Sequence, residues 1–258
     1  MKTALITGAC INTGVDIVEK FLSNKYAVIF TGRNGESIKD AELVYKRKYP
    51  DANISGYVLN SISESGEVDT LNVDQLFSEL DEKGVFVSTL VLNAADQGIG
   101  QKVFETPIES FMRVINTNVV WNYYLCECAA RRMKDNGGGN IVFINSNTAY
   151  RAIPERISYI ASKGGQLGLM RALALDLGKY NIRVNAVLPG MIKTDRWEKN
   201  PEFYENVPSR FTPIGDVAVG KDIADAVWYF AECARNTTGA ELVVDGGNNI
   251  QLYPIIKK

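Results

Sequence analysis

The chain has 258 residues, 46% hydrophobic and 22% charged, which suits a soluble globular protein with room for one large α/β domain. Thirty acidic and twenty-eight basic residues give a net charge of −2 with both signs scattered, so neither nucleic acid nor an anionic membrane is expected as a partner. Histidine is absent, which excludes Ser-His-Asp and Cys-His catalysis, HExxH metal sites and histidine proton shuttles, and leaves acid–base chemistry to Tyr, Lys, Asp, Glu or Cys.

Strand-like and helix-like segments alternate along the chain, the pattern of βαβ units around a parallel sheet. The first strand is expected over Thr3–Thr7, a helix over Thr13–Ser23, a strand over Ala27–Thr31, a charged helix near Ser37–Tyr49 and a strand over Ile54–Leu59. Asn60–Asp69, rich in Ser, Glu and Gly, reads as a surface insertion. Then come a short helix at Val73–Leu80, a buried strand at Val87–Leu92 and a long helical stretch at Pro107–Asn136, stopped by three glycines from Gly137. A strand at Asn140–Ile144, a helix over Ser158–Lys179 and strands at Arg183–Leu188 and Glu241–Val244 complete the series. No repeat or linker divides the chain, so it reads as a single domain, with a loop-like flap over residues 191–220 placed to meet substrate.

The N-terminus enters a strand at once and no run of about 18 apolar residues occurs, so secretion and membrane spanning are both disfavoured. Cys10, Cys126, Cys128 and Cys233 form no CxxC spacing, which points to a reduced cytoplasmic protein without a metal site.

Tyr159 and Lys163 stand four residues apart on a predicted helix, so both lie on one face. An ammonium near the phenol favours the phenolate and is expected to lower the tyrosine pKa from about 10 towards neutrality, as a general acid for carbonyl reduction requires. The first strand runs directly into a turn bearing Gly8 and Gly14 and then an amphipathic helix, where helix amides can receive a pyrophosphate. The second strand ends Thr31-Gly32-Arg33-Asn34, with no acid for the adenosine ribose; a guanidinium there can grip a 2′-phosphate, so Arg33 points to NADP(H) rather than NAD(H).

With these landmarks in order, the chain resembles the short-chain dehydrogenase/reductase family over nearly its whole length. The match rests on Thr7-Gly8 to Gly14, Asn93-Ala94-Ala95, Asn118, Ser146, Tyr159-x-x-x-Lys163, Pro189-Gly190-Met191-Ile192-Lys193-Thr194, and Thr238-Gly239 before Asp245-Gly246-Gly247. The resemblance implies a Rossmann-type, doubly wound parallel sheet with helices on both faces. It also implies Tyr159 as general acid/base, Lys163 as the group that lowers its pKa and holds the nicotinamide ribose, Ser146 as the polariser of the substrate carbonyl and Asn118 as the anchor of a relay water. Gly8, Asn12, Thr13, Gly14, Arg33, Asn93, Ile192 and Thr194 join Tyr159 and Lys163 as the cofactor contacts so implied. Asn12 and Thr13 replace the glycine and isoleucine usual in that turn, and Ala95 replaces a glycine. For the family aspartate at adenine, Asn60 and Asp69 compete, and the helix-like run that follows favours Asp69. A homotetramer or dimer, paired through Pro107–Asn136 and Ser158–Lys179, is implied as well.

The activity expected is NADP(H)-dependent interconversion of a ketone and a secondary alcohol. Tyr150, Ile153, Met191, Trp197, Phe203, Tyr204 and Phe211 would suit a hydrophobic substrate such as a steroid or an aliphatic or aromatic carbonyl compound. A 3-oxoacyl carrier-protein reductase is the enzymatic alternative, with Arg151, Arg156, Lys193 and Arg196 as its basic contacts. A cofactor-binding scaffold without turnover is the reading from another class.

Overall fold

Ala4, Leu5 and Ile6 are wholly shielded from water, which an apolar strand achieves only with a layer of helices against each face. They belong to β1 (Thr3–Ile6), near the middle of a seven-stranded sheet in the computed structural model, which describes residues 1–194, 197, 201 and 210–254. The strand order is β3-β2-β1-β4-β5-β6-β7 and every pairing is parallel, with β2 at Ala27–Gly32, β3 at Ile54–Val58, β4 at Thr89–Leu92, β5 at Gly139–Ile144, β6 at Ile182–Pro189 and β7 at Glu241–Val244. Strand order reverses between β1 and β4, and the crevice at the carboxyl ends of those two strands is where such sheets take ligands.

On one face lie α1 (Thr13–Ser23) and α2 (Gly35–Lys48), joined by α7 (Gly220–Trp228); Ile17, Phe21, Ile38, Tyr45, Ile223 and Val227 pack there against Ile6, Val28 and Phe30. The opposite face carries α3 (Leu71–Glu82), α5 (Trp121–Asp135) and α6 (Ile157–Leu177), whose Phe77, Trp121, Leu125 and Met170 close over Leu5, Leu90 and Phe143. The doubly wound parallel architecture expected from the alternation is therefore the one observed.

Three departures from the expected elements have local causes. The long stretch at Pro107–Asn136 is α4 (Ile108–Ile115) and α5 joined by a π-helical turn, Asn116–Val120, in which one extra residue per turn re-aims carbonyls. Helix α7 falls where no element was expected. Its start is fixed by the Asp222 carboxylate, which accepts from the Val219 amide at 2.8 Å, and Ile223, Ala224 and Val227 form the buried stripe. Asn60–Asp69 folds back on itself as a small hairpin through an antiparallel bridge between Ile62 and Val68, with the Asp69 amide donating to the Ser61 carbonyl at 3.0 Å.

Candidate active site

The first turn is held from three sides. The Thr7 hydroxyl accepts from the amides of Asn93 and Ala94, both at 3.0 Å, and the Asn93 side-chain amide donates to the carbonyls of Thr7 and Gly8 at 3.1 and 2.9 Å. From α2 the buried Tyr45 hydroxyl donates to the Ala9 carbonyl at 2.6 Å. Asn93 thus ties the end of β4 to the turn with its side chain. At Gly8 (φ +63°) a Cβ would lie 2.9 Å from Ala94, and at Gly14 one would lie 2.6 Å from the Ala9 Cα, so both positions admit only hydrogen. Asn12 holds φ 52° and ψ −140°, a positive-φ state outside the αL well and open mainly to glycine, and makes no side-chain capping bond to α1, which begins at Thr13. The first-turn amides therefore have no side-chain cap, and together with the positive end of the helix dipole they suit a pyrophosphate.

Arg33 follows β2 and is exposed. Asn34 beside it caps α2, accepting from the Ser37 amide at 2.9 Å. The Leu59 amide donates to the Gly32 carbonyl at 2.9 Å, which sets Asn60 at the end of β3 level with this edge. Asp69 closes the hairpin beside Ser61, and its carboxylate accepts from the Asn72 backbone amide at 3.1 Å and from the Asn72 side chain.

The four residues expected to do chemistry converge. Ser146 ends the segment after β5, with its hydroxyl oxygen accepting from the Thr148 amide at 3.1 Å and the Thr148 hydroxyl at 2.9 Å. With its acceptor side filled, its own proton is free to donate, and the hydroxyl acts on the nearby Tyr159 phenol in the direction that favours the phenolate. Lys163, one turn further along α6, is 2% exposed. Its ammonium donates to the Ile144 carbonyl at 2.8 Å and to Gln166 Oε1 at 3.1 Å, and sits 5.5 Å from the Tyr159 ring centre. Asn118, in the π-helical turn, exchanges bonds with the backbone of Asp96, both at 2.8 Å, and its amide nitrogen also donates to Ser162 Oγ at 2.9 Å. What Asn118 turns towards Lys163 is its main-chain carbonyl, which accepts from Gln166 Nε2 at 2.6 Å and Asn122 Nδ2 at 2.9 Å.

The electrostatics differ from the expected balance. Burial pushes the Tyr159 phenol above its ordinary value, only partly offset by the Ser146 hydroxyl and the positive charge of Arg156. Burial also takes Lys163 down to about 7. Desolvation of the phenol thus outweighs the groups that favour its ionisation, and tyrosine remains a proton donor.

Past β6, Ile192 pairs with Ala218 in a parallel bridge and the Lys193 amide donates to the Ala218 carbonyl at 2.8 Å. The Thr194 carbonyl accepts from the Trp197 amide at 2.8 Å. Tyr150, Ile153 and Phe211 are exposed and Met191 is half-buried, while Arg196, Phe203 and Tyr204 lie outside the described residues. Arg151 is turned into the protein, donating to the carbonyls of Asn248 (2.6 Å), Asn249 (3.2 Å) and Gln251, and Arg156 donates to the Gln97 carbonyl at 2.8 Å. Among the described residues no group of His, Cys, Asp and Glu could hold a metal ion, and no helix is long and apolar enough to cross a membrane.

Residues 12–249 match the family described as enoyl-(acyl carrier protein) reductase. The chain belongs to the short-chain dehydrogenase/reductase family of oxidoreductases. Among curated relatives it is similar to a 3alpha-hydroxysteroid dehydrogenase of Mediterraneibacter gnavus, 35% identical over 95% of this chain and 96% of the relative. It is also similar to the 3-oxoacyl-[acyl-carrier-protein] reductase FabG of Rickettsia felis, 30% identical over 95% and 96% of the two chains. The solved structure of ElxO with NADP bound superposes with a TM-score of 0.88 at 30% identity, covering 97% of this chain and 99% of that one.

Gln166 and Asn145 were not anticipated. Each is a buried amide beside a catalytic candidate, and the signal available was a glutamine three residues after Lys163 on the face of α6 that otherwise buries Leu167, Met170 and Ala174.

Proposed function

We propose that the chain is an NADP(H)-dependent reductase or dehydrogenase interconverting a ketone and a secondary alcohol, with Tyr159 as general acid/base. The observation that carries this reading is the buried Lys163 ammonium 5.5 Å from the Tyr159 ring, with the Ser146 hydroxyl acting on the same phenol to favour its phenolate. The residues at the mouth of the sheet fit a dinucleotide: the Gly8 and Gly14 positions leave no space for a Cβ, and the start of α1 has uncapped amides. Gly8, Asn12, Thr13 and Gly14 would hold the pyrophosphate, Arg33 the 2′-phosphate, Asp69 or its competitor Asn60 the adenine edge, Lys163 and Tyr159 the nicotinamide ribose, and Ile192 and Thr194 the nicotinamide end. The ElxO structure with NADP supports the choice of phosphate-bearing cofactor.

When bound, the cofactor supplies or accepts the hydride. The Ser146 proton, which has no acceptor in the Thr148 bonds, polarises the substrate oxygen; Tyr159, kept protonated by burial, delivers a proton to that oxygen as charge builds on it. Lys163 stabilises the phenolate that remains.

A hydrophobic substrate of the steroid or similar carbonyl class is supported by the exposed Tyr150, Ile153 and Phe211 and by the hydroxysteroid dehydrogenase relative. The carrier-protein alternative has the FabG relative in its favour, but two of its four basic contacts, Arg151 and Arg156, spend guanidinium donors on main-chain carbonyls. A homo-oligomer is supported by the exposed apolar residues Ile108 and Met112 of α4, Val120 of the π-helical turn and Tyr123 of α5. The test is consumption of NADPH and of NADH by the purified protein across steroid, aliphatic, aromatic and 3-oxoacyl ketones. Turnover preferring NADPH on apolar ketones is expected. Preference for NADH would refute the Arg33 assignment, and selective turnover of 3-oxoacyl thioesters would favour the alternative.

A further inference from the structure

Lys163 is buried with its charge, and a buried ammonium must have acceptors for its protons or lose them. One acceptor is the Ile144 carbonyl and the other is Gln166 Oε1. Gln166 is itself 1% exposed and every polar atom of its amide is engaged around the site. Its Oε1 also accepts from Asn145 Nδ2 at 3.1 Å, and its Nε2 donates to the Asn118 carbonyl at 2.6 Å. Asn145 in turn accepts from the Ser146 amide at 2.7 Å through Oδ1 and donates to the Lys163 carbonyl at 2.9 Å.

The orientation of the Gln166 amide is dictated by its neighbours. Reversed, it would set an NH2 against an ammonium and a second NH2, and a carbonyl against the Asn118 carbonyl. One side chain thereby joins Lys163, the π-helical turn that holds Asn118 and, through Asn145, the strand end that presents Ser146. We propose that Gln166 is a positioning residue for catalysis: it fixes the Lys163 ammonium against Tyr159 and keeps it charged in a water-poor site, using the Asn118 carbonyl as its anchor. The inference rests on the reading of Lys163 as part of the catalytic set.

The environment of the ammonium is simple enough for a signed test. Tyr159 is the titratable group beside it, burial alone produces its downward shift, and the charged groups on the neighbouring segments are engaged elsewhere, Asp96 with Arg113 at 3.2 Å and Arg156 with the Gln97 carbonyl. Removing an acceptor disfavours the ammonium, whereas a carboxylate in its place favours it.

The experiment compares Gln166→Leu and Gln166→Glu with the wild type in two readouts: the titration of Lys163 followed by 13C NMR of labelled lysine, assigned with Lys163→Met, and the pH profile of kcat for an apolar ketone with NADPH. For Gln166→Leu, kcat is expected to fall about 10- to 100-fold, the loss of a hydrogen bond to a charged group, with KM changed little and the Lys163 titration moved to lower pH. Gln166→Glu is expected to move the titration and the alkaline limb of kcat to higher pH. A folded leucine variant with wild-type kcat, or with Lys163 titrating as in the wild type, overturns the proposal. Should the leucine variant fail to fold, Gln166→Glu decides alone, and an unmoved Lys163 titration overturns it. Tyr159→Phe run in parallel separates the two claims: full turnover there sinks the catalytic reading itself, whatever the Gln166 variants do.

Discussion

The Lys163 ammonium is tethered to the main-chain carbonyl of Ile144, 2.8 Å away at the end of β5, while its helix holds it 5.5 Å from the centre of the Tyr159 ring. The tether fixes the lysine to the sheet, so its position relative to tyrosine does not depend on the flexible stem of a surface lysine. The arrangement costs stability, because a charge has been taken out of water for the benefit of a neighbour.

That cost has a signature in pH. Lys163 falls from 10.5 to about 7 in the folded chain. Between those values the unfolded chain binds a proton that the folded chain has released, so this group makes the fold more stable as pH rises through the window and fully exerts its penalty below the folded value. Urea unfolding of wild type and Lys163→Met at several pH values should show the wild type gaining on the variant between pH 7 and 10. A constant difference would contradict the burial argument.

Arg33 is the residue proposed to carry the cofactor preference. Arg33→Asp replaces a bidentate phosphate grip with a carboxylate that repels the 2′-phosphate and can accept from ribose hydroxyls. kcat/KM for NADPH should fall about 100-fold or more, with NADH becoming the better cofactor, as measured by initial rates with each. Unchanged preference would mean that the specificity lies elsewhere in the turn.

Asn12 pays for its place in the turn with a positive-φ backbone at φ 52° and gains no capping bond in return. Asn12→Gly should therefore stabilise the fold by about 1 kcal/mol, visible as a rise of a few degrees in thermal midpoint. A lower midpoint would indicate that the asparagine side chain has a stabilising partner.

Most of the sheet was legible because buried parallel strands are short apolar runs, and Thr3–Ile6 or Glu241–Val244 leave little choice of element. The candidate catalytic cluster was legible by spacing and company, since Tyr159 and Lys163 lie four apart on α6 and the structure sets the ammonium 5.5 Å from the ring. The hidden parts depend on tertiary partners. The π-helical turn at Asn116–Val120 has no local signature, yet it turns the Asn118 carbonyl towards Gln166. The helix that follows Asp69 marks it as a nucleotide contact in the sequence, and what the sequence does not show is that its carboxylate also accepts from the Asn72 amide at the start of α3. An i, i+4 lysine signals a lowered Tyr159 pKa, whereas burial, which sequence spacing does not reveal, weighs more on both groups and raises the phenol.

The most direct test of the central claim is single-turnover reduction of an apolar ketone by Tyr159→Phe, with NADPH binding followed separately by fluorescence. Binding close to wild type is expected, with a chemical step slowed about 10²- to 10⁴-fold, the usual worth of a positioned general acid. A variant that binds NADPH and reduces the ketone at the wild-type rate would contradict it.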